Sequence, residues 1–125
     1  MGDTNFYTMK LSDGEELIQN ILELVKEKQI TYGEIISGRG KIREFELVST
    51  GQKRSLDKSF FSESFGISAI TGKVRMSKGE IFHTINVSVS KSGYNATKGQ
   101  LMRGIVDGEL EITVRKVNLA KIIEA

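Results

Sequence analysis

The chain has 125 residues, enough for one domain with its own core, and its 38% hydrophobic and 27% charged content is that of an ordinary globular protein. It has no Cys, which excludes disulfides, thiol catalysis and thiolate-bound metal, and its one His limits metal and acid–base chemistry further. Eighteen basic against sixteen acidic residues leave a net charge of +2, too small to argue for a nucleic-acid partner unaided. No run approaches the ~20 apolar residues of a membrane helix. Met1–Asn5 lacks the basic-then-apolar pattern of a signal peptide, and Gly2 lacks the Ser or Thr that myristoylation prefers. The expectation is a cytoplasmic protein with no membrane contact, in which the sequons at Asn86 and Asn95 are chance matches.

Phe6 to Leu11 reads as a short first strand. Ser12-Asp13-Gly14-Glu15 has the S-x-x-E spacing of a capping box, with Asp13 and Glu16 as a second frame one residue on. Leu17, Ile18, Ile21, Leu22 and Val25, with Leu24 flanking, then form one helical apolar stripe, and the charged residues between them form a solvated face. Ile30 to Ser37 is β-branched and apolar, a buried strand that Gly38-Arg39-Gly40 is expected to break as a tight turn or close backbone approach. Lys41 to Ser49 follows as a strand whose imperfect alternation calls for a bulge near Lys41–Arg43.

Thr50 to Ser59 is polar and reads as an exposed loop, and Phe60-Phe61 as an edge strand. Phe65 to Met76 is a longer strand, interrupted at Gly72, and Ser77-Lys78-Gly79-Glu80 a hairpin turn. Ile81 to Ser90 alternates most cleanly: Ile81, His83, Ile85, Val87 and Val89 share one face, and Phe82, Thr84, Asn86 and Ser88 the other. After a polar loop over Lys91–Gly99, Leu101–Val106 and Glu109–Val117 read as two strands joined by a turn at Asp107-Gly108, the second with Leu110, Ile112 and Val114 inward. The tail from Asn118 fits a helical turn or a pairing strand equally. The fold class is α+β: a largely antiparallel sheet of six to seven strands with one main helix packed on it. The second sheet face then needs a cover, and self-association would supply one.

The order of these segments resembles the PPC domain, the plants and prokaryotes conserved domain also known as domain of unknown function 296. The matching stretches are Leu11-Ser12-Asp13-Gly14-Glu15-Glu16-Leu17, Ile30 through Arg43 with Ser37-Gly38-Arg39-Gly40, Phe65 through Gly72, Thr84 through Val89, and Lys98-Gly99-Gln100-Leu101. They span about Tyr7 to Val117 of a single domain over residues 1–125. The resemblance implies a compact α+β homotrimer. Prokaryotic single-domain relatives carry the label of candidate DNA-binding proteins, and in land plants the domain follows an AT-hook, whose Arg-Gly-Arg-Pro core this Pro-free chain lacks. Many prokaryotic relatives also carry an H-x-H pair and a third His as a potential metal site. Here those positions are Thr84, Asn86 and Gln100, and Gly66 stands where the family has an acidic residue. Hydroxyl and amide oxygens bind transition metals poorly compared with imidazole, so neither metal nor cofactor is expected. His83 falls on the apolar face of its strand and reads as a core or interface histidine.

Three functions follow in order of preference. The first is a non-catalytic homotrimeric interaction module with a protein partner, whose Thr84, Asn86, Gln100, Gly66, Gly38 and Arg39 could line an inherited polar pocket or a hydrated interface. The second is salt-dependent DNA binding through Arg39, Lys41, Arg43, Lys53, Arg54 and Lys58, with Lys91, Lys98 and Arg103 as further contributors. The third is an enzyme using Glu34, Glu44 or Glu46 as an acid or base, although nothing in the sequence brings two of these together.

Overall fold

The computed structural model describes residues 5–49 and 57–117. It contains β1 (Asn5–Ser12), α1 (Leu17–Glu27), β2 (Tyr32–Ser49), β3 (Asp57–Phe61), β4 (Phe65–Ser77), β5 (Glu80–Ser90) and β6 (Thr97–Lys116). The strands form one antiparallel sheet in the order β1-β6-β5-β4-β2-β3, and β6 also pairs with β2. The α+β class is therefore as expected, with six strands and one helix among the described residues. The extra pairing adds a feature the alternation pattern does not contain. β2 bonds to β4 along one edge and to β6 along the other, while β5 joins β4 to β6, so these four strands close a circuit.

Helix α1 begins later than its capping signal suggests. Ser12 ends β1 opposite Glu109, and only the carboxylate half of the capping box forms, with the Ser12 N–H donating to Glu15 Oε1 at 2.6 Å. The chain turns at Asp13-Gly14, with Gly14 at φ 91°, and β6 holds that turn outside the helix: the Gly14 N–H donates to the Val106 carbonyl at 2.9 Å, and the Val106 N–H to the Glu15 carbonyl at 2.8 Å. Glu16 is the cap instead. Its carboxylate accepts from the N–H groups of Ile18 (3.2 Å) and Gln19 (2.8 Å), and from Gly104 N–H on β6 at 2.8 Å. Leu17, Ile18, Ile21 and Val25 are buried as the stripe requires, and the helix lies against β6. At its other end Gln29 adopts φ 51°, and the Ile30 N–H reaches back to the Val25 carbonyl at 2.9 Å, the six-to-one closure of a Schellman turn.

Four sequence expectations are corrected. Gly38-Arg39-Gly40 does not break the chain: β2 runs on through it, with Gly38 opposite Ile112, Arg39 opposite Glu111 and Gly40 opposite Leu110. Gly38 serves close approach rather than a turn, since a Cβ there would lie 2.5 Å from Ile70 Cγ2 and 2.8 Å from Ile112 Cδ1. Gly72 does not interrupt β4, whose register shift lies between Ile67 and Ala69. Asp107-Gly108 is an irregularity inside one 20-residue strand, not a turn between two, because the register with β2 steps from Gly40↔Leu110 to Lys41↔Asp107 and leaves Gly108 at φ 83°. Finally, Asp57–Ser59 and Thr97–Gly99 belong to strands β3 and β6 rather than to loops.

Other expectations hold. Register shifts at Gly40/Lys41 and Arg43/Glu46, with Glu44 at φ 46°, flank the stretch where a bulge was expected. β3 is an edge strand, and Lys78 and Gly79 make the β4–β5 hairpin turn with φ 53° and 81°. Residues 50–56 and the tail from 118 lie outside the described residues. The core unites α1 with the inward residues of the strands, Ile85, Val87 and Val89 of β5 and Leu110, Ile112 and Val114 of β6 among them. Phe45, Phe61 and Phe65 form an aromatic cluster at one end, with ring centroids 5.0–5.5 Å apart.

Candidate functional site

The alternation of β5 sends Thr84, Asn86 and Ser88 to the face opposite the core, and the ladder decides which residues meet them. Lys73 of β4 pairs with Thr84, Thr71 with Asn86, Asn86 with Gln100 of β6, and Ser88 with Lys98. Three of the positions singled out in the sequence, Thr84, Asn86 and Gln100, thus come together. Two adjoining open clefts lie over them and share Thr71 and Asn86. One, of about 450 Å³, is lined by Ser49, Thr71, Asn86, Ser88, Lys98 and Gln100 among others. The other, of about 620 Å³, is lined by Glu34, Ile36, Thr71, Lys73, Thr84 and Asn86. Periodicity placed Ser88 beside Thr84 and Asn86 but could not have revealed Ser49, Thr71 and Lys98 as members, because cross-strand register brings them in.

The remaining sequence candidates lie elsewhere. Gly38 packs in the interior against Ile70 and Ile112. Gly66 pairs with Ser90 and Lys41, away from both clefts. Arg39 lines a separate depression with Lys10, Glu109 and Glu111. Lys41 and Lys58 are exposed, but Lys58 stands opposite Val48, nine residues along β2 from Arg39, up to about 30 Å at ~3.3 Å per residue. Lys53 and Arg54 lie outside the described residues.

Arg43 has its charge already matched by two carboxylates, as Lys91 has by Glu63 and Arg103 by Glu46. Its Nη1 contacts Asp13 Oδ1 at 2.7 Å, Asp107 Oδ1 at 2.9 Å and the Val106 carbonyl at 3.1 Å. The Gly108 N–H, followed by Arg43, holds the Asp13 carboxyl below its usual value. The Ser64 hydroxyl, at 2.6 Å, and then Arg43 do the same for Asp107. The cluster ties the turn before α1 to β2, β6 and the β3–β4 connection. The three carboxylates considered for catalysis do not converge: Glu34 is bonded to Arg115, Glu44 lies 3.5 Å from Arg43 and Glu46 lies 3.7 Å from Arg103. His83 is half-buried, its Nδ1 has no hydrogen-bond partner among the described residues, and it borders a third depression with Tyr32, Arg75 and Phe82.

The sequence matches the profile of the Plants and Prokaryotes Conserved (PCC) domain over residues 1–118. The chain belongs to that family. Solved structures of similar fold include the metal-containing protein of Archaeoglobus fulgidus, with 26% identity, a TM-score of 0.80 and coverage of 90% of this chain and 79% of that one. A plant- and prokaryote-conserved protein of Pyrococcus horikoshii has 23% identity and a TM-score of 0.80, with 91% and 79% covered. A candidate DNA-binding protein of Bacteroides thetaiotaomicron has 26% identity and a TM-score of 0.79, with 91% and 80% covered. No curated protein matches the chain.

A resident transition metal does not suit the donors gathered on this face. Thr84, Asn86 and Gln100 offer a hydroxyl and two amides, which are poor ligands for transition metals. Among the described residues no three of His, Cys, Asp and Glu come together to hold an ion. Nor is any described helix of this PCC-domain protein long and apolar enough to cross a membrane.

Proposed function

We propose that this PCC-domain protein is a non-catalytic, cytoplasmic homotrimeric interaction module in which the histidine metal site of its relatives has been lost. The observation that carries the reading is a pair of outward apolar side chains. Ile36 and Phe82, 42% and 50% exposed, flank Lys73 and Thr84 on the outer face of β2, β4 and β5. The only helix among the described residues packs on the core side. An apolar pair on an uncovered sheet face is what contact with further copies of the chain would bury. The trimer, rather than another closed assembly, rests on the family resemblance. Exchanging both side chains, Ile36→Ser with Phe82→Ser, should lower the mass measured by light scattering while leaving the far-ultraviolet circular dichroism unchanged. An unaltered mass would show that this face does not carry assembly.

Salt-dependent DNA binding is the second reading, favoured by the description of the Bacteroides relative and by the exposed Lys41 and Lys58. Its weakness is physical: Arg43 is matched by two carboxylates, and Lys58 stands far from Arg39. Binding carried by phosphates alone would fall steeply with salt, so a duplex that fails to bind even at low ionic strength removes this reading.

A further inference from the structure

The smaller of the two outer clefts has a composition of its own. Six polar side chains reach it from four strands: Ser49 of β2, Thr71 of β4, Asn86 and Ser88 of β5, and Lys98 and Gln100 of β6. Among the described residues none of these side chains hydrogen-bonds or ion-pairs with another protein group. The single charge on its wall is the Lys98 ammonium, and no carboxylate lines it. Arg43, Lys91, Arg103 and Arg115 are matched by carboxylates. Lys98, like Lys41 and Lys73, has no carboxylate partner among the described residues, and it is the one of these that stands in this cleft.

The register gives the cleft a direction. Ser88 stands opposite Lys98, so a hydroxyl and an ammonium face each other at one end. Two residues along, about 7 Å at the strand rise, Thr71, Asn86 and Gln100 form one row. The two amides of that row can each donate or accept. The volume of about 450 Å³ falls in the range of small-molecule sites.

We propose that this cleft binds a small polyhydroxylated organic anion, its anionic head on Lys98 and Ser88 and its hydroxyls on Thr71, Asn86 and Gln100. The head is a carboxylate or a phosphate monoester, the chemistry that one ammonium and one hydroxyl recognise in either case. The cleft is lined by residues of one copy of the chain, but it shares Thr71 and Asn86 with the cleft beside Ile36, so copies that cover the Ile36–Phe82 face would border it.

The test is calorimetric titration of the full chain with gluconate, with glucose 6-phosphate and with neutral sorbitol, while the amide side-chain resonances of Asn86 and Gln100 are followed by NMR. Saturable binding of either anion, moving those two resonances and weakened at least tenfold by Lys98→Gln, supports the site. Whether gluconate or glucose 6-phosphate binds tighter identifies the head. Binding of neither anion, equal binding of sorbitol, or an affinity that Lys98→Gln leaves unchanged overturns it. Light scattering on the same samples reads the assembly independently.

Discussion

Gly38 offers a test of how the sheet is held together. Carbon atoms in contact sit about 3.5–4.0 Å apart. A methyl on Gly38 would find Ile70 Cγ2 at 2.5 Å and Ile112 Cδ1 at 2.8 Å, so both overlaps exceed half an ångström and come from different strands. Ile70 is 3% exposed and Ile112 fully buried, so neither has solvent to move into. Overpacking of this kind costs about 1–3 kcal/mol, and the lower entropy of the unfolded alanine chain returns about 0.4–1 kcal/mol of it. Gly38→Ala should therefore destabilise by about 1–2 kcal/mol, a fall in Tm of roughly 3–10 °C for a domain of this size. Ile112→Val removes one of the two obstructing atoms, so the double variant should be more stable than the sum of the single effects by at least about 0.5 kcal/mol. Gly66→Ala is the control, since its Cβ would meet only the Ser90 carbonyl at 3.8 Å, and it should change stability by no more than about 0.5 kcal/mol. Urea denaturation at one fixed protein concentration measures all four variants. A Gly38→Ala protein as stable as the parent would refute the continuous path of β2 between Ile70 and Ile112.

Two further outcomes follow from the polar contacts. Glu16 accepts from two helix N–H groups and from Gly104. Glu16→Ala should cost about 1–3 kcal/mol, beyond a helix cap alone, because a strand donor loses its partner as well; a loss under about 0.5 kcal/mol in urea would show that the cap is not carrying the α1–β6 junction. The carboxyls of Asp13 and Asp107 are held below the ordinary aspartate value of 3.8. Their contribution to stability is therefore full above that value and disappears as pH falls through their lower folded-state values. The urea midpoint of the parent should decline below about pH 4 more steeply than that of Arg43→Gln, and parallel profiles would contradict the role of the cluster.

The sequence made much of the fold legible where one local rule acted alone. The stripe from Leu17 to Val25, the alternation of Ile85, Val87 and Val89, and the turn at Lys78-Gly79 are each set by periodicity or by local backbone preference, and each appears as expected. What failed to show was set by distant partners. Gly38, Gly72 and Gly108 look like punctuation in sequence, yet β4, β5 and β6 run beside them and convert two into close-packing positions and one into an irregularity. Ser12 looks like a cap, but β6 holds the turn at Asp13-Gly14 outside the helix, and the role passes to Glu16. The outer face was half visible: alternation placed Thr84 and Asn86 together, and the family pattern added Gln100. The same alternation gave Ser88, but Thr71 and Lys98 required the register, and Arg43 read as a free cation because Asp13 and Asp107 lie 30 and 64 residues away.

The central claim is that one sheet face of this protein is covered by further copies of itself. Sedimentation equilibrium over a range of concentrations, with and without a short mixed-sequence duplex at low salt, tests it most directly. The account predicts three times 13.9 kDa, unchanged by the duplex. A mass of 13.9 kDa at all concentrations would contradict it, and a salt-sensitive gain in mass with duplex would move the function to DNA.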